Sequence, residues 1–357
     1  MSTSTPMNSA NSVIPKPQKP WKTTRRQKAE TASILLISVF LSVGLVALSP
    51  LKGKLGYVGS FVLIYLILDY AIVRFNHGKS AGVDAFFRGL VTMSVVVAVI
   101  PILSILFSVW SRGHKGLHWS MFTTDMHSAA FTDENINAGG IQHAIIGSIL
   151  IVLTALVISL PIGILTAVYL TEIKGRFSRP IKFLVQSMSG VPSIVAGLFI
   201  LAAIVYPVTK FYSSFEGSLA LAILMIPTIA RTAEEVLLLI PNDLRESGVA
   251  LGGTQWRTVQ QIVIPAARSG LVTALILGVA RVAGETAPVV LLTGGGDGTQ
   301  WNIFKGPMGT LPTYIWKAYA AGTEASVTRA WAAILVLLVI VLVLFGLARY
   351  LGGRKVK

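Results

Sequence analysis

The sequence predicts an all-α membrane protein with about eight transmembrane helices, and three observations carry that prediction. Of 357 residues, 53% are hydrophobic and 13% charged, with a mean hydropathy of +0.71. Soluble domains carry about 25% charged residues, roughly twice as many. Eight runs approach or exceed the length, about 17–25 apolar residues, that takes a helix through a bilayer. The basic residues also concentrate in alternate connecting segments, as they do in oriented membrane proteins. In lipid every backbone N–H and C=O must be paired within the chain, which a helix achieves segment by segment.

The eight runs are 33–49, 57–75, 88–111, 141–170, 182–206, 211–230, 271–293 and 329–350. The first is short; the fourth is long and contains Pro161, so a tilt or kink is expected there. Residues 1–32 are rich in Ser, Thr, Asn and Pro and then basic, which reads as a disordered cytosolic tail. No small-residue cleavage site follows the first apolar run at a natural distance, so a cleaved signal peptide is not expected. With the N terminus inside, the inner segments are the tail, 74–88, 171–182, 231–268 and the residues after 348. They hold 21 of the 30 Lys and Arg residues. The outer loops, 50–57, 112–140, 207–215 and 294–328, hold 7, and Arg281 and Arg329 fall within spans. This positive-inside bias places both termini in the cytosol. The net charge of +15 therefore orients the chain among membrane lipids, and no nucleic-acid partner is expected. Cysteine is absent, which excludes disulfides and thiolate metal sites.

Two outer loops are long. Loop 112–140, entered from Trp110, contains Trp119, His114, His118, His127, Asp125, Asp133 and Glu134. His114 and His118 stand four apart, but a catalytic zinc site needs a third ligand and a supporting shell, so no metal is expected. Loop 294–328 carries Trp301, Phe304, Tyr314, Trp316 and Tyr319, a set suited to an interfacial belt or a docking surface. Its opening, "GGGDGTQ", lacks the Gly-Lys-Ser/Thr ending of a nucleotide-binding loop and reads as a flexible turn. The Ser, His and Asp residues form no defensible triad, so no catalytic residue is expected.

The inner segment 231–268 carries more information. Pro241 closes one helix, and Asn242 or Asp243 can cap a short one over 244–251. Gly252 and Gly253 break it. Trp256, Val259, Gln260, Ile262 and Val263 then place apolar members at spacings of three and four, which predicts a second amphipathic helix; Pro265 leads toward the seventh span. A helix–glycine–helix on the cytosolic face, with apolar positions outside lipid, suits the groove of a protein partner.

Three charges stand in or beside apolar spans. Arg281 and Glu285 lie four residues apart within "LILGVARVAGETAPVVLLTG", residues 275–294. A charge near mid-bilayer costs about 2.5–3.5 kcal/mol on insertion scales, so it faces a cavity or a partner. One reading is a structural ion pair at i,i+4. The other is an arginine lining a path, its rigid fork of donors matched to two oxygens of an oxyanion. Arg231, at the inner end of the sixth span, reads from the residues as a snorkelling cation paired with Glu234 and Glu235.

Glu246-Ser247-Gly248, then Gly252, Ile262, Ile264 and Pro265 resemble the EAA loop of ABC importer permeases, with Gly, Ile and Pro six, sixteen and nineteen residues after the Glu. Ser-Gly replaces Ala-Ala, and Ile264 replaces Leu. The stretches 139–170, 189–199, 226–241 and 280–288, the last reading "ARVAGETAP", narrow the resemblance to phosphate-specific ABC importer permeases of the PstA type. It covers roughly residues 85–352. It implies a six-helix type I importer core there, with residues 33–80 supplying two extra N-terminal helices. It also implies ATPase coupling through Glu246, Gly248, Gly252, Ile262 and Pro265 in loop 242–265, and a substrate path past Arg281, Glu285 and Arg231. The implied partners are a second permease (PstC type), a cytosolic ATPase dimer (PstB type) and an extracytoplasmic phosphate-binding protein (PstS type). ATP-Mg would be bound by the ATPase, leaving no cofactor in this chain, and the implied location is a bacterial cell membrane. A permease for sulfate or molybdate is the alternative within the class. A secondary transporter or a scaffold without an ATPase is the alternative outside it.

Overall fold

The computed structural model describes residues 25–49 and 53–352. Among them every regular element is helical, apart from one isolated bridge between Gly294 and Met308. Residues 1–24 of the expected tail, and 353–357, lie outside the described residues. The chain divides into two compact units, 1–104 and 105–357.

The first unit contains α1 (Arg25–Leu48), α2 (Lys54–His77) and most of α3 (Lys79–Gly113). The described residues of α1 extend from Arg25, within the segment read as tail, and the run 25–32 offers neither Pro nor Gly to interrupt the helix. Ile34, Tyr65, Leu66 and Met93 form the core of this unit. Gly78, at φ 91, lets one residue join α2 to α3. Asp69, only 2% exposed, has the Arg88 guanidinium 3.5 Å away, the partner a carboxylate within a span requires.

The second unit opens with the end of α3 and a short α4 (Trp119–Thr123). Helix α5 (Gln142–Val168) runs through Pro161 and ends in a π turn, Tyr169–Ile173. Helix α6 (Ser178–Ser189) bends by 106° into α7 (Ser193–Ile200) and its π-helical continuation Leu201–Thr209. Then come α8 (Ser214–Leu238), α9 (Asn242–Ala250), α10 (Gln255–Thr258), a π turn Val259–Val263 and α11 (Ile264–Ala266). A bend of 74° leads into α12 (Arg268–Val282), followed by α13 (Ala287–Leu292), α14 (Leu311–Ala321) and α15 (Glu324–Gly352).

Among the described residues five helices are long and apolar enough to cross a membrane, or seven if each bent pair is one span. Eight continuous spans are therefore not found. The run 211–230 is α8, which carries Glu216, Arg231, Glu234 and Glu235 and buries most of its length among other helices. The runs 182–206 and 271–293 are not single helices: the first includes the α6–α7 bend, and the second breaks after Val282.

Close approach around α8 rests on small residues. A Cβ on Gly163 of α5 would meet Ile229 Cγ2 at 2.7 Å, and one on Gly278 of α12 would meet Ile229 Cγ1 at 2.7 Å. Ile229, 0% exposed, thus wedges α8 between two glycines, the kind of contact that holds membrane helices together without a hydrophobic drive. Residues 271 and 274 of α12 pack with α5, α8 and the π turn Val259–Val263 in one core cluster, and residues 279 and 282 pack with α5 and α8 in another.

Candidate functional site

Helix α12 ends at Val282, and the backbone turns through Ala283, Gly284, Glu285 and Thr286 before α13 begins at Ala287. Pro288 in the first turn of α13 cannot donate to a preceding carbonyl, so it cannot continue α12. The break is held from the side: a Cβ on Gly197 of α7 would meet Pro288 Cα at 2.9 Å, and one on Gly217 of α8 would meet Thr293 Cγ2 at 2.9 Å. Irregular backbone at membrane depth is tolerated where it is buried in protein or lines a cavity. Gly284 faces open space, Arg281 in the last turn of α12 is exposed, and Glu285 is half-buried. Leu277 and Arg281, four residues apart, are exposed on one face of α12.

The structural ion pair between Arg281 and Glu285 is not formed. Among the described residues neither side chain makes an ion pair within 4.0 Å. The helical register that would have joined them ends between them. Arg231 is likewise exposed, and Glu234, its expected partner, instead meets Lys182 of α6 at 2.7 Å. Glu235 is exposed. Both arginines therefore keep their guanidinium donors free of carboxylates among the described residues.

The 231–268 segment folds as a helix–glycine–helix with corrected boundaries. Helix α9 covers Asn242–Ala250, and Pro241 occupies the position before it, so Asn242 and Asp243 lie in its first turn rather than capping it. Gly252 takes φ 82, which a side chain strains to adopt, and the Gly253 amide bonds back to the Gly248 carbonyl at 3.1 Å. The second helix is not one amphipathic element. The Thr254 hydroxyl caps α10, after which the π turn Val259–Val263 leads to α11, with Pro265 inside it. Gly248 is buried because a Cβ there would meet Thr258 Cγ2 at 2.6 Å and Ile262 Cδ1 at 2.8 Å. The structure thus packs Gly248 against Thr258 and Ile262, while Gly252, Glu246 and Pro265 remain exposed. Leu251 is 87% and Trp256 50% exposed, an apolar surface with no partner in the described residues.

Sequence reasoning missed Glu172, the single acid of the 171–182 segment, and Arg245, the residue before Glu246. Arg245 Nη2 donates to Glu172 Oε1 at 2.8 Å and Nε to Oε2 at 2.9 Å. These hydrogen bonds hold the guanidinium above its ordinary pKa against the opposing effect of burial. A cleft of about 720 Å³ opens beside the pair, lined by Thr171, Lys174, Glu246, Val249, Gln255 and Thr258 among others.

The two long loops at the opposite ends of α5 and α8 are tied together. Asp125 accepts from the Thr299 amide at 3.0 Å, the Met126 amide donates to the Asp297 carbonyl at 2.9 Å, and Lys317 pairs with Asp297 at 2.8 Å. Lys317 also donates to the Gly295 carbonyl, so "GGGDGTQ" is anchored rather than a flexible turn. Tyr314, expected in an aromatic belt or docking surface, is 2% exposed and meets the Phe131 and His143 rings at an angle, whereas Trp301, Phe304, Trp316 and Tyr319 are exposed. His114 Nδ1 lies 2.8 Å from the Trp110 carbonyl, and His118 Nδ1 lies 3.0 Å from that of Gly116.

Helices long and apolar enough to cross a membrane, an exposed arginine at a broken span, and a helix–glycine–helix with an uncovered apolar face define a class: the membrane component of a transport system. Residues 159–357 match the family of binding-protein-dependent transport system inner membrane components, and the chain belongs to that family. It is similar to the phosphate transport system permease protein PstA of Mycobacterium leprae, 38% identical over 266 residues that cover 73% of this chain and 87% of the relative. It is also similar to the PstA protein of Haemophilus influenzae, 36% identical over 261 residues, covering 72% of this chain and 90% of the relative. Among solved structures it is similar to a bacterial alginate ABC transporter determined with an alginate pentasaccharide-bound periplasmic protein. That likeness has a TM-score of 0.55 at 14% identity, covers 77% of this chain and 96% of the other, and supports the fold alone.

Proposed function

We propose that the chain is the membrane-spanning permease subunit of an ATP-driven phosphate importer and forms half of its translocation path. The observation that carries this reading is Arg281: an exposed guanidinium at a broken span, with no carboxylate among the described residues to neutralise it. A cation in that position suits a tetrahedral oxyanion that sheds water in transit. The phosphate-transport relatives supply the substrate.

In this reading Arg281 and Arg231 contact the anion, and Glu285 tunes Arg281 or accepts the proton that phosphate retains near neutral pH. Glu246, Gly248, Gly252, Ile262 and Pro265 seat the 242–265 loop in a cytosolic ATPase, which binds ATP-Mg. A second permease of PstC type completes the path, a PstB-type ATPase dimer drives it, and a PstS-type binding protein docks on the loops at the other face. Both termini are cytosolic. Residues 85–352 form the permease core, and 33–80 add two helices to it. ATP binding draws the loops together and shifts the permease pair outward by differential binding to two states.

The test is uptake of labelled phosphate, with sulfate and molybdate as competitors, in cells lacking this gene and then complemented. Restored phosphate uptake unaffected by excess sulfate or molybdate is expected. Restored transport of sulfate or molybdate instead would reassign the substrate, and transport without co-purification of an ATPase would reassign the class.

A further inference from the structure

Arg245 holds together three elements that a helix–glycine–helix segment would otherwise leave loosely joined. Beyond its bonds to the Glu172 carboxylate, Arg245 donates from Nη2 to the Leu237 carbonyl at 2.8 Å and from Nη1 to the Ile240 carbonyl at 2.5 Å. Leu237 lies in the last turn of α8, where its carbonyl also accepts the Ile240 amide at 3.2 Å, and Ile240 follows the helix end. The acceptor Glu172 sits in the π turn that ends α5, and its side chain is 5% exposed. Gln255 of α10 then donates to the Glu172 backbone carbonyl at 2.6 Å. So both halves of the segment, α9 through Arg245 and α10 through Gln255, grip one residue at the end of α5, and α9 also grips the end of α8.

Lysine could not make these contacts, because they use the rigid fork in two directions at once: toward a carboxylate on one side and toward two carbonyls on the other. The α5 and α8 ends so gripped belong to helices locked to each other through Gly163 and Ile229. Arg231 lies two residues beyond Ile229 on α8. Displacement of the loop is thus passed to the helix bearing a proposed path arginine through a chain of short, charged hydrogen bonds.

We propose that the Glu172–Arg245 pair is the mechanical joint that makes loop movement and span movement one event, with Arg245 a positioning residue that touches neither substrate nor nucleotide. This rests on the reading of the 242–265 loop as the ATPase-coupling element. It adds a specific transmission point inside this chain.

The experiment compares Arg245→Gln, Arg245→Lys and Glu172→Gln with the wild-type chain, each co-expressed with its transport partners. Three quantities are measured on the same membranes: co-purification with the ATPase, ATP hydrolysis, and labelled inorganic phosphate transported per ATP hydrolysed. The joint predicts that Arg245→Gln and Glu172→Gln still co-purify and hydrolyse ATP, while phosphate moved per ATP falls about fivefold or more. Arg245→Lys should recover part of that ratio, since it keeps the charge on Glu172 and loses the carbonyl contacts. An unchanged ratio in both Gln variants would overturn the joint. So would a parallel loss of assembly and hydrolysis with the ratio preserved in what remains, the mark of a purely structural bridge. Failure of the wild-type chain to co-purify with any ATPase is a separate outcome, and it would overturn the coupling-loop reading beneath the joint.

Discussion

Arg281 and Glu285 are four residues apart, yet the helix that would have stacked them ends between them, and no ion pair joins them. An arginine kept in an apolar run without a local carboxylate is placed for something other than its neighbour. Arg281→Ala is expected to reduce phosphate uptake to about a tenth of wild type or less, the effect of losing one charged hydrogen-bonding partner. Arg281→Lys should remain well below wild type because a point charge replaces a fork. Uptake by complemented cells, with the amount of assembled complex measured in parallel, checks both. Normal uptake by Arg281→Ala would remove that residue from the path.

Gly252 sits at φ 82 between α9 and α10 with nothing near its Cα to crowd a side chain, so the constraint there is conformational. Gly252→Ala should cost about 1–2 kcal/mol through the left-handed backbone. Gly252→Pro, which cannot adopt a positive φ, should open the joint and stop uptake. Glu246→Lys reverses an exposed charge without disturbing packing, and it is expected to impair coupling by altering the loop's contact with the ATPase. Hydrolysis stimulated by the binding protein is the readout, and full stimulation in both Gly252→Pro and Glu246→Lys would sink the coupling assignment.

The tie between the two long loops is expected to weaken in acid. Burial pushes the Asp125 carboxyl upward, but the amides of His127 and Thr299 and the Thr299 hydroxyl outweigh it, and its pKa lies below the ordinary range. A folded pKa below the unfolded one contributes stability that is fully present above the unfolded value, about 3.9, and is lost as pH falls through the folded value. Amide exchange at Met126 and Thr299 should therefore stay slow at neutral pH and rise, relative to intrinsic rates, only in acid. Asp125→Ala should show the faster exchange already at neutral pH. Equal protection in that variant would mean the carboxylate contributes nothing to the tie.

How much of this was legible in the sequence follows from the range of the interactions. The apolar runs, the basic bias and the Glu246–Pro265 spacing are local patterns, so the all-helical membrane class and the helix–glycine–helix were readable directly. The span count was not, because hydropathy is blind to direction: α6 and α7 form one apolar run but bend by 106°. The break after Val282 was hidden because Ala283 and Gly284 are apolar and sit within the hydrophobic window. Glu172 and Arg245 are 73 residues apart, and Asp125 and Thr299 are 174 apart, so no periodicity could pair them. Tyr314 looked like a belt residue because aromatic composition does not report which side of a helix faces the core.

Ile229 sets the spacing of the helices that carry both proposed path arginines. It fills the space opposite Gly163 on α5 and Gly278 on α12; Arg231 follows it on α8, and Arg281 follows Gly278 by three residues. Adding a methyl at Gly163 places it 2.7 Å from Ile229 Cγ2 and 2.9 Å from its Cβ, too close for either helix to stay in place. Gly163→Ala should therefore destabilise the protein by about 1–3 kcal/mol, the usual cost of overpacking a filled core. Because α8 must move to relieve the clash, uptake should fall along with stability. Ile229→Ala alone leaves a cavity and should cost about 2–5 kcal/mol. The double variant is the decisive measurement. If the two sites touch as described, Ile229→Ala in the Gly163→Ala background should cost less than it does alone, because the new methyl occupies part of the space the isoleucine vacates. Thermal unfolding in detergent gives the three values. Simple additivity would show that α5 and α8 are not in contact at this point, and the path arginines would then have to be positioned by other residues.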